Sequence, residues 1–429
     1  MQLTLKKKKQ RKDEAVRSLL SAASASLLLA VPLAHAEDVH QHHAEGAHQH
    51  HAEGAPEQPW RVDAGAMRYS EKDRISVSEL NFRARRQLSE DNALSLRADY
   101  DSVSGASPTG TTKIQTTSGA SGTAYMAHFQ TVRAAVGADW ETSLSPDANL
   151  TLSGDHSSSK MNKSSGIGAA VARDFNQRNT TLVAGASYSV DAIDMEIMTE
   201  LTPSDTATIR ATSEKKDQID LQLGVTQVLA RGTLLQLNFV HSNASGYMTN
   251  PHKLISVVHP LTGETLTNSP LTEKRPDKRD SNALYAQVNH ALGEGVLYSS
   301  YRYFQDSWGI KAHTVDFKYR QPITEKLYVQ PHVRVYAQGA ADFYRSMLAV
   351  GEIPAYASAD YRLAKLQTNS IGVKLGYKPS SGGELTARVE VMRQNGEQHP
   401  QDAIGVQRTA DLFPELEAII FHIGYTKLF

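Results

Sequence analysis

The residues with the clearest potential for chemistry are six histidines near the N-terminus. The unit HQHHAEGA occurs twice in tandem over residues 40–55, and it carries His40, His42, His43, His48, His50 and His51. Neutral imidazoles at such short spacing on a flexible chain can converge on Zn or Cu. One hypothesis is therefore that this segment binds metal. The alternative is a solvated tail whose histidines bind nothing specific.

Two further segments carry groups that could bind a ligand. Residues 99–110, DYDSVSGASPTG, join carboxylates to a Gly/Ser/Pro-rich stretch, which predicts either a cation site or an ordinary turn. Residues 245–253, SGYMTNPHK, open the longest predicted loop and place Tyr247, Asn250 and His252 there. These three residues suggest a surface-receptor or constriction role, with ordinary loop packing as the alternative. The charged run at 274–280 is interpreted as a solvated loop.

No spacing in the sequence identifies an active site. Serines and histidines are plentiful, but no motif selects a nucleophile with its base, and no phosphate-binding glycine motif is evident. The chain has no cysteine, which excludes a c-type haem site and a lipid anchor at a signal-end cysteine. We expect a protein that is not an enzyme and needs no cofactor beyond tail metal; an outer-membrane hydrolase is the less favoured alternative.

The N-terminus has the features of an export signal. A basic start, an apolar run over 19–33 and the sequence Ala34-His35-Ala36 predict a cleaved signal peptide over residues 1–36. Cleavage removes seven Lys and Arg and two Asp and Glu, which leaves 38 basic against 44 acidic residues and a net charge of −6. Such a charge argues against a nucleic-acid partner. Residues 37–59, which hold the histidines, lack apolar periodicity and predict a flexible tail.

From residue 60 onward the apolar residues recur with a period of two, which is typical of strands. In residues 327–336, Leu327, Val329, Val333 and Val335 share one face, whereas His332 shares the other face with polar neighbours. Several polar faces carry two or more charges, which a dry sandwich core would not accept but a wet barrel interior would. The predicted charged interior consists of Arg97, Asp99, Asp101, Asp220, Arg302, Asp316, Lys318, Arg320, Arg334, Lys374, Arg388 and Glu390.

The connections between these strands alternate in length. Seven short connections lie near 89–92, 145–149, 176–179, 230–233, 292–295, 322–326 and 379–383. Longer ones lie near 103–124, 191–215, 245–279, 339–364 and 395–414, with three short loops near Ser70, Lys160 and Trp308. Seven turns and eight loops predict an all-β, antiparallel up-and-down transmembrane barrel of about sixteen strands over residues 60–429. The even number puts both termini in the periplasm.

The last strand resembles the C-terminal signal recognised by the barrel-assembly machinery. His422, Gly424 and the terminal Phe429 fit that pattern, while Lys427 stands where an aromatic or apolar residue is usual. The aromatic cluster of Tyr298, Tyr301, Tyr303, Phe304 and Trp308 is interpreted as an interfacial girdle. The expected partners are therefore outer-membrane lipid and the assembly machinery, in the outer membrane of a Gram-negative bacterium.

A set of residues and short motifs is spread over nearly all of the chain after the histidine tail. It consists of Trp60, Asp63, Tyr69, Glu71, Asp73 and Arg74, and of SGASPTG (104–110), GYMTNPHK (246–253), RYFQDSWGIKAHT (302–314), ADFY (341–344) and ASADYRL (357–363). In this set the chain resembles an uncharacterised bacterial outer-membrane β-barrel family, the domain of unknown function 3570. The resemblance implies an outer-membrane barrel and, for some members, genes for a flavin transferase and a small lipoprotein nearby. No binding residues come with it.

Two functional hypotheses follow. The leading one is a porin-like channel associated with envelope metal or redox handling, since a barrel of about sixteen strands typically encloses an aqueous lumen. Its mixture of charges argues against strong ion selectivity, although a transverse field between opposed walls is compatible with it. The alternative is a non-transporting barrel that serves as a scaffold for a periplasmic redox or metal-handling partner.

Overall fold

The structure, a computed structural model, describes residues 59–113, 115–119, 126–199, 208–266 and 271–429. The predicted signal peptide lies outside these residues, and so does the predicted tail apart from residue 59. The six tail histidines lie there too, so their metal-binding role stays a prediction. Within the described ranges, no helix is long and apolar enough to cross a membrane.

Sixteen antiparallel strands form one closed barrel. They are β1 (Arg61–Glu71), β2 (Ser76–Gln87), β3 (Asn92–Pro108), β4 (Met126–Ser145), β5 (Ala148–Ser159), β6 (Asn162–Phe175), β7 (Thr180–Thr199), β8 (Thr208–Ala230), β9 (Thr233–Gly246), β10 (Lys278–Leu292), β11 (Gly295–Asp306), β12 (Lys311–Pro322), β13 (Leu327–Gln338), β14 (Leu366–Tyr377), β15 (Glu384–Gly396) and β16 (Leu416–Leu428). Each strand pairs with its neighbours in the sequence, and β1 pairs with β16 from Arg61↔Leu428 to Glu71↔Ala418. The predicted sixteen-stranded barrel is confirmed.

The period of two in the sequence decides which face of each strand meets the barrel interior. On β13, Val333 and Val335 are 44% and 39% exposed, whereas Tyr328 and His332 are buried. The same alternation exposes Ile419 on β16 and buries its neighbour Ala418. Because a lipid-facing strand surface must be apolar, a closed barrel with an apolar outside and a polar inside has the fold of outer-membrane β-barrels. Every barrel strand is also at least as long as the ~9–11 residues that crossing a bilayer requires.

The two ends of the barrel differ. At one end, which we call the turn end, the seven predicted short connections join consecutive strands and β1 begins beside the end of β16. At the other end, which we call the loop end, the connections include the long segments at 247–277, 339–365 and 397–415. The predicted alternation of short turns and longer loops is therefore found in the structure.

Strands extend into two of the predicted loops. The connection predicted at 103–124 begins only after Pro108, because β3 pairs with β4 up to Pro108↔Met126. The connection predicted at 191–215 belongs mostly to β7 and β8, which pair as far as Thr199↔Thr208. The paired ends of both strands are rich in charged residues. The ion pair between Asp191 and Lys216, 2.7 Å apart, shows that such charges stabilise the hairpin across its two strands.

Candidate functional site

Four segments at the loop end pack against one another, and we call them the lid. The lid comprises the described residues of 109–119, 247–277, 339–365 and 397–415. Two small strand pairs hold it together: Leu254–Ile255 with Leu271–Thr272, and Val257–Val258 with Leu348–Ala349. Two 3-10 turns, Tyr361–Leu363 and Gly405–Thr409, complete its regular structure among the described residues.

The lid crosses the mouth of the barrel. Segment 247–277 leaves the end of β9, yet its Leu254 N–H donates to Thr109 O beyond the end of β3, 2.8 Å away. Strands β3 and β9 are six strands apart around the ring. At its tip, this segment meets 397–415, where Gln407 Nε2 donates to Gly263 O at 2.9 Å. The segment therefore spans the opening and is fixed on both sides.

Apolar side chains give the lid cores of its own. Ile255 and Leu348 are buried between two lid segments, and Val258 is fully buried beside Met347. Tyr361 meets Phe413 edge-to-face, with ring centroids 6.1 Å apart. Trp308, in the β11–β12 hairpin, packs against Phe343 in the same way at 5.2 Å. Trp308 is thus part of a buried core, and its assignment to an interfacial girdle is wrong. Tyr301, by contrast, is exposed on the outer face.

At the centre of the lid lies a carboxylate with no exposed surface, that of Asp360. Arg275 Nη2 donates to it at 2.8 Å, Arg362 Nη2 donates at 2.6 Å, and Lys253 Nζ lies 3.8 Å away. Burial raises the pKa of Asp360, but the charges of Arg362, Lys253 and Arg275 outweigh it and hold the pKa far below the ordinary value. Asp360 is therefore ionised, and it links two lid segments that are distant in sequence.

A second buried carboxylate completes the cluster. Glu273 accepts from Arg275 Nη2 at 3.1 Å, from the Asn250 N–H at 2.6 Å and from the Ser358 hydroxyl. Lys253 is almost completely buried, and its ammonium donates to Pro108 O at 2.5 Å. Burial lowers the pKa of Lys253 to about 8, against the opposing effect of Asp360. We call Lys253, Glu273, Arg275, Ser358, Asp360 and Arg362 the lid cluster.

The lid cluster revises three predictions. The cation beside segment 99–110 is the Lys253 ammonium, which donates a hydrogen bond to the Pro108 carbonyl oxygen. Within GYMTNPHK the central side chain is Lys253, whereas Asn250 mainly shapes the turn, its Oδ1 accepting from the His252 N–H at 3.0 Å. The run at 274–280 is only partly solvated, because the Arg275 side chain is 10% exposed. Sequence reasoning did not identify Asp360 as a site residue, although the family motif ASADYRL contains it.

Below the lid, the predicted charged residues all lie on strands, on the face opposite the exposed apolar side chains. Arg97, Asp99 and Asp101 line β3, Asp220 lies on β8 and Arg302 on β11; Asp316, Lys318, Arg320, Arg334, Lys374, Arg388 and Glu390 come together on β12–β15. Cross-strand ion pairs connect many of them. Arg97 lies 2.9 Å from Asp139, and Asp101 lies 2.6 Å from Arg133. Their role in lining a pore stays a prediction.

His332 joins two of these carboxylates. Its Nε2 lies 2.6 Å from Asp316 and its Nδ1 lies 2.9 Å from Glu390. The second contact reaches across β14, because Gly372 stands between His332 and Glu390 in the register and has no side chain to block it. Lys318 and Arg388 extend this chain of charges at 3.3 and 2.8 Å. No sequence motif predicts that His332 lies between Asp316 and Glu390; this position follows only from the strand register.

Other arrangements bear on the metal and hydrolase hypotheses. In the described part of the chain, no group of three or more His, Asp or Glu side chains is placed to hold a metal ion. One serine–histidine pair on adjacent strands, His156 Nδ1 and Ser165 Oγ at 2.9 Å, shares the outer face with exposed Ile167. That pair does not provide the inward-facing serine and histidine that an outer-membrane hydrolase would need.

Comparison with known proteins identifies the family. The family described as "Protein of unknown function (DUF3570)" matches residues 17–427. The chain belongs to this family. No curated protein sequence matches the chain.

Several solved structures have a distantly similar fold. A mutant of the ferric enterobactin receptor from Pseudomonas aeruginosa is 11% identical, with a TM-score of 0.44, and the alignment covers 86% of this chain and 59% of the receptor. A siderophore receptor from Acinetobacter baumannii is 10% identical, with a TM-score of 0.43, covering 80% and 53%. A bacterial polysaccharide outer-membrane secretin is 8% identical, with a TM-score of 0.46, covering 87% and 100%. The chain thus spans little more than half the length of these two receptors.

Proposed function

We propose that this DUF3570 protein is a gated outer-membrane channel whose polar lumen is closed at the loop end by the lid and opens when the lid is displaced. One observation carries the proposal. Segment 247–277 crosses the mouth and is fixed there by the buried Asp360, above an inner wall that carries charges. A polar lumen favours water, and a fixed cover favours gating over a permanently open pore.

The lid also supports the scaffold hypothesis as a second candidate. Its buried cores and ion pairs stabilise a closed barrel, and a barrel that never opens would serve as a docking structure for a periplasmic redox or metal-handling partner. Neither candidate includes a catalytic step. The two differ in one measurable respect, which is whether weakening the lid yields a conducting protein.

Planar-bilayer recording of the refolded protein separates them. We expect rare openings for the unchanged protein and frequent openings for Asp360→Asn, which removes the carboxylate that Arg275 and Arg362 share. The chain has no cysteine, so Lys274→Cys with Ala357→Cys can join two lid segments where their backbones pair. Oxidation of that pair in the Asp360→Asn background should reduce the openings, and reduction should restore them. Silence in every variant, with the barrel folded, would favour the scaffold.

The proposed location is the outer membrane of a Gram-negative bacterium, reached after cleavage of residues 1–36 and folding by the barrel-assembly machinery. The lid would then face the outside and both termini the periplasm. Single cysteines test this orientation in intact cells with an impermeant maleimide. Ile353→Cys, at a lid position that is 90% exposed, should be labelled, whereas Lys326→Cys in a short turn should not.

The tail adds a proposed metal function. We propose that His40, His42, His43, His48, His50 and His51 capture Zn or Cu in the periplasm beside the turn end, where β1 begins. Equilibrium dialysis of the mature protein against Zn and Cu should show binding that is lost when residues 37–59 are removed. Equal binding by both forms would place the metal elsewhere, and no binding at micromolar metal would reject the tail's role.

A further inference from the structure

The inner wall of the barrel carries opposite charge on opposite sides. We compare two arcs of four strands, β5–β8 and β12–β15. Around the closed ring of sixteen, β12 is seven strands from β5 and β13 is eight strands from it, so the arcs face each other across the lumen. The inward residues of each arc are fixed by parity, because the apolar side chains of alternate positions are exposed on the outer face.

The arc β12–β15 is basic. Its inward positions carry five Lys and Arg residues, Lys318, Arg320, Arg334, Lys374 and Arg388, against three carboxylates, Asp316, Glu384 and Glu390. Five positive and three negative charges leave a surplus of two positive charges before His332 is counted. The ion pairs within the arc, such as Arg388 with Glu390 at 2.8 Å, hold the charges against the wall.

The arc β5–β8 is acidic over residues 148–193 and 216–230, where the side chains are described and every strand is paired on both sides. Asp155, Asp174, Asp191 and Asp220 face inward there against one cation, Lys216. Four negative charges and one positive charge leave a surplus of three negative charges. Asp191 is paired with Lys216, and Asp174 lies 3.7 Å from Arg178 in the adjoining turn. Asp155 and Asp220 therefore dominate this arc.

Such a distribution produces a field directed across the lumen instead of along it. A low-dielectric wall focuses the field of its charges into the enclosed water. A solute with only one charge is attracted by one arc and repelled by the other. A solute that carries an anionic and a cationic group is attracted by both arcs when it lies crosswise. Pore selectivity commonly arises from such rings and walls of charged side chains.

We propose that the lumen favours small zwitterionic solutes, which cross with their anionic group toward β12–β15 and their ammonium group toward β5–β8. The inference rests on the proposed channel function and specifies its class of solute. The two opposed surpluses of charge carry it. A neutral solute of the same size gains nothing from either arc, and a simple anion gains from only one.

Liposome swelling in the Asp360→Asn background provides the test, with β-alanine as the zwitterion, lactamide as a neutral solute of similar size and propionate as an anion. We expect β-alanine to enter at least about threefold faster than lactamide, the size of effect that weak ion pairs in water produce. Arg334→Gln with Lys374→Gln should remove most of that preference, and Asp155→Asn with Asp220→Asn should do the same. Arg393→Gln, an outward change on β15 at a side chain 56% exposed, is the matched control and should leave it unchanged.

The outcomes separate this inference from the channel proposal. Equal entry of β-alanine and lactamide through a conducting pore would overturn the inference alone. If propionate instead enters faster than β-alanine, the pore is anion-selective and the zwitterion inference is wrong. No swelling and no conductance in the Asp360→Asn protein would reject the channel itself, and the inference with it.

Discussion

The barrel wall and the lid use charged residues in different ways. On the wall, charges such as Arg97 and Asp139 pair across neighbouring strands and keep part of their surface open, with side-chain exposures of 23% and 13%. In the lid, Asp360 and Ser358 have no exposed surface at all, and each has a partner about 85 residues away, Arg275 for Asp360 and Glu273 for Ser358. A wall pair such as Arg97 and Asp139 therefore tolerates the loss of one partner, because water can solvate the other, whereas the buried Asp360 has no water to replace a lost partner.

Neutralising Asp360 should have the largest effect on the lid. Asp360→Asn leaves Arg275, Arg362 and Lys253 close together around a neutral amide. Breaking a buried ion pair typically costs about 3–5 kcal/mol. We expect the lid to open while the barrel stays folded, which limited proteolysis of residues 247–277 and the heat-modifiable gel mobility of the barrel would report together.

The matched control for that change is Asp411→Asn. Asp411 lies in the same lid but is 62% exposed, 3.7 Å from His399. Its loss should cost under about 1 kcal/mol, as for other surface pairs. If the two changes made the lid equally sensitive to protease, the buried cluster would not be what closes it.

The next largest difference is expected between Gly110 and Gly119, two glycines of one lid segment that differ in how closely other backbone atoms approach them. Gly110 and Gly119 both have positive φ, +101° and +85°, so an alanine strains the backbone at both positions. At Gly110 the new Cβ would also lie 2.7 Å from the carbonyl oxygens of Ala359 and Leu254, whereas at Gly119 nothing lies within 4 Å. We expect Gly110→Ala to destabilise the lid by about 1–3 kcal/mol more than Gly119→Ala.

Hydrogen exchange of the lid amides would measure the difference between these two variants. Faster exchange in Gly110→Ala than in Gly119→Ala, confined to the lid, is the expected result. Equal exchange in both would mean that the three lid segments meeting at Gly110 are more adaptable than their contacts indicate.

These two regions also differ in how much the sequence predicted. The strands of the wall follow from a local pattern, since alternation along residues such as Leu327, Val329, Val333 and Val335 identifies both a strand and its faces. Short turns between alternating segments then fixed the number of strands. Only the Gly/Ser-rich end of β3 and the charge-rich ends of β7 and β8 were mistaken for loops. In β7 and β8, partners such as Asp191 and Lys216 become apparent only once the strands are paired.

The lid could not be predicted in this way. Lys253, Arg275 and Asp360 follow no period, and each lies in a segment whose composition is typical of a solvated loop. Their burial depends on contacts between segments about 100 residues apart, which propensity and patterning do not encode. The one signal was indirect: SGASPTG, GYMTNPHK and ASADYRL, which carry the family resemblance, all contribute residues to the contacts around Asp360 and Lys253.

A smaller effect is expected on the wall, at Gly372. An alanine there would place its Cβ 2.8 Å from Val389 O and 3.0 Å from Glu390 Cβ. The new methyl group would lie between His332 and Glu390, whose side chains meet across β14. At Gly154, where nothing lies within 4 Å, the same change is free of contact. Gly372→Ala should lower the free energy of unfolding by about 1–2 kcal/mol relative to Gly154→Ala.

Urea unfolding of the barrel in detergent micelles, followed by tryptophan fluorescence, would measure that difference. If Gly372→Ala lowers the free energy of barrel unfolding more than Asp360→Asn does, the wall is stabilised independently of the lid. If Gly372→Ala instead opened the lid, the wall and the lid would be coupled, and the contrast between them would fail.

The smallest expected effect is a dependence of lid closure on pH, which arises from Lys253. Its pKa in the closed lid is lowered to about 8 by burial, from an ordinary value of 10.5 when solvated. Between these two values the open lid binds more protons than the closed lid, so raising the pH from about 8 toward 10 stabilises closure. The open-to-closed ratio should fall by at most about tenfold per pH unit, the limit for one proton.

Bilayer recording between pH 7.5 and 9.5, on protein in which Asp360 is unchanged, tests this pH dependence. We expect openings to become rarer as the pH rises. The window ends near pH 10, where ionisation of lid tyrosines begins to oppose closure, because burial raises the pKa of Tyr361 to about 12. Lys253→Met should abolish the dependence, whereas Lys113→Met, at an exposed lysine of the same lid, should retain it. A dependence of opposite sign would mean that the charged ammonium of Lys253 stabilises closure more than its burial opposes it.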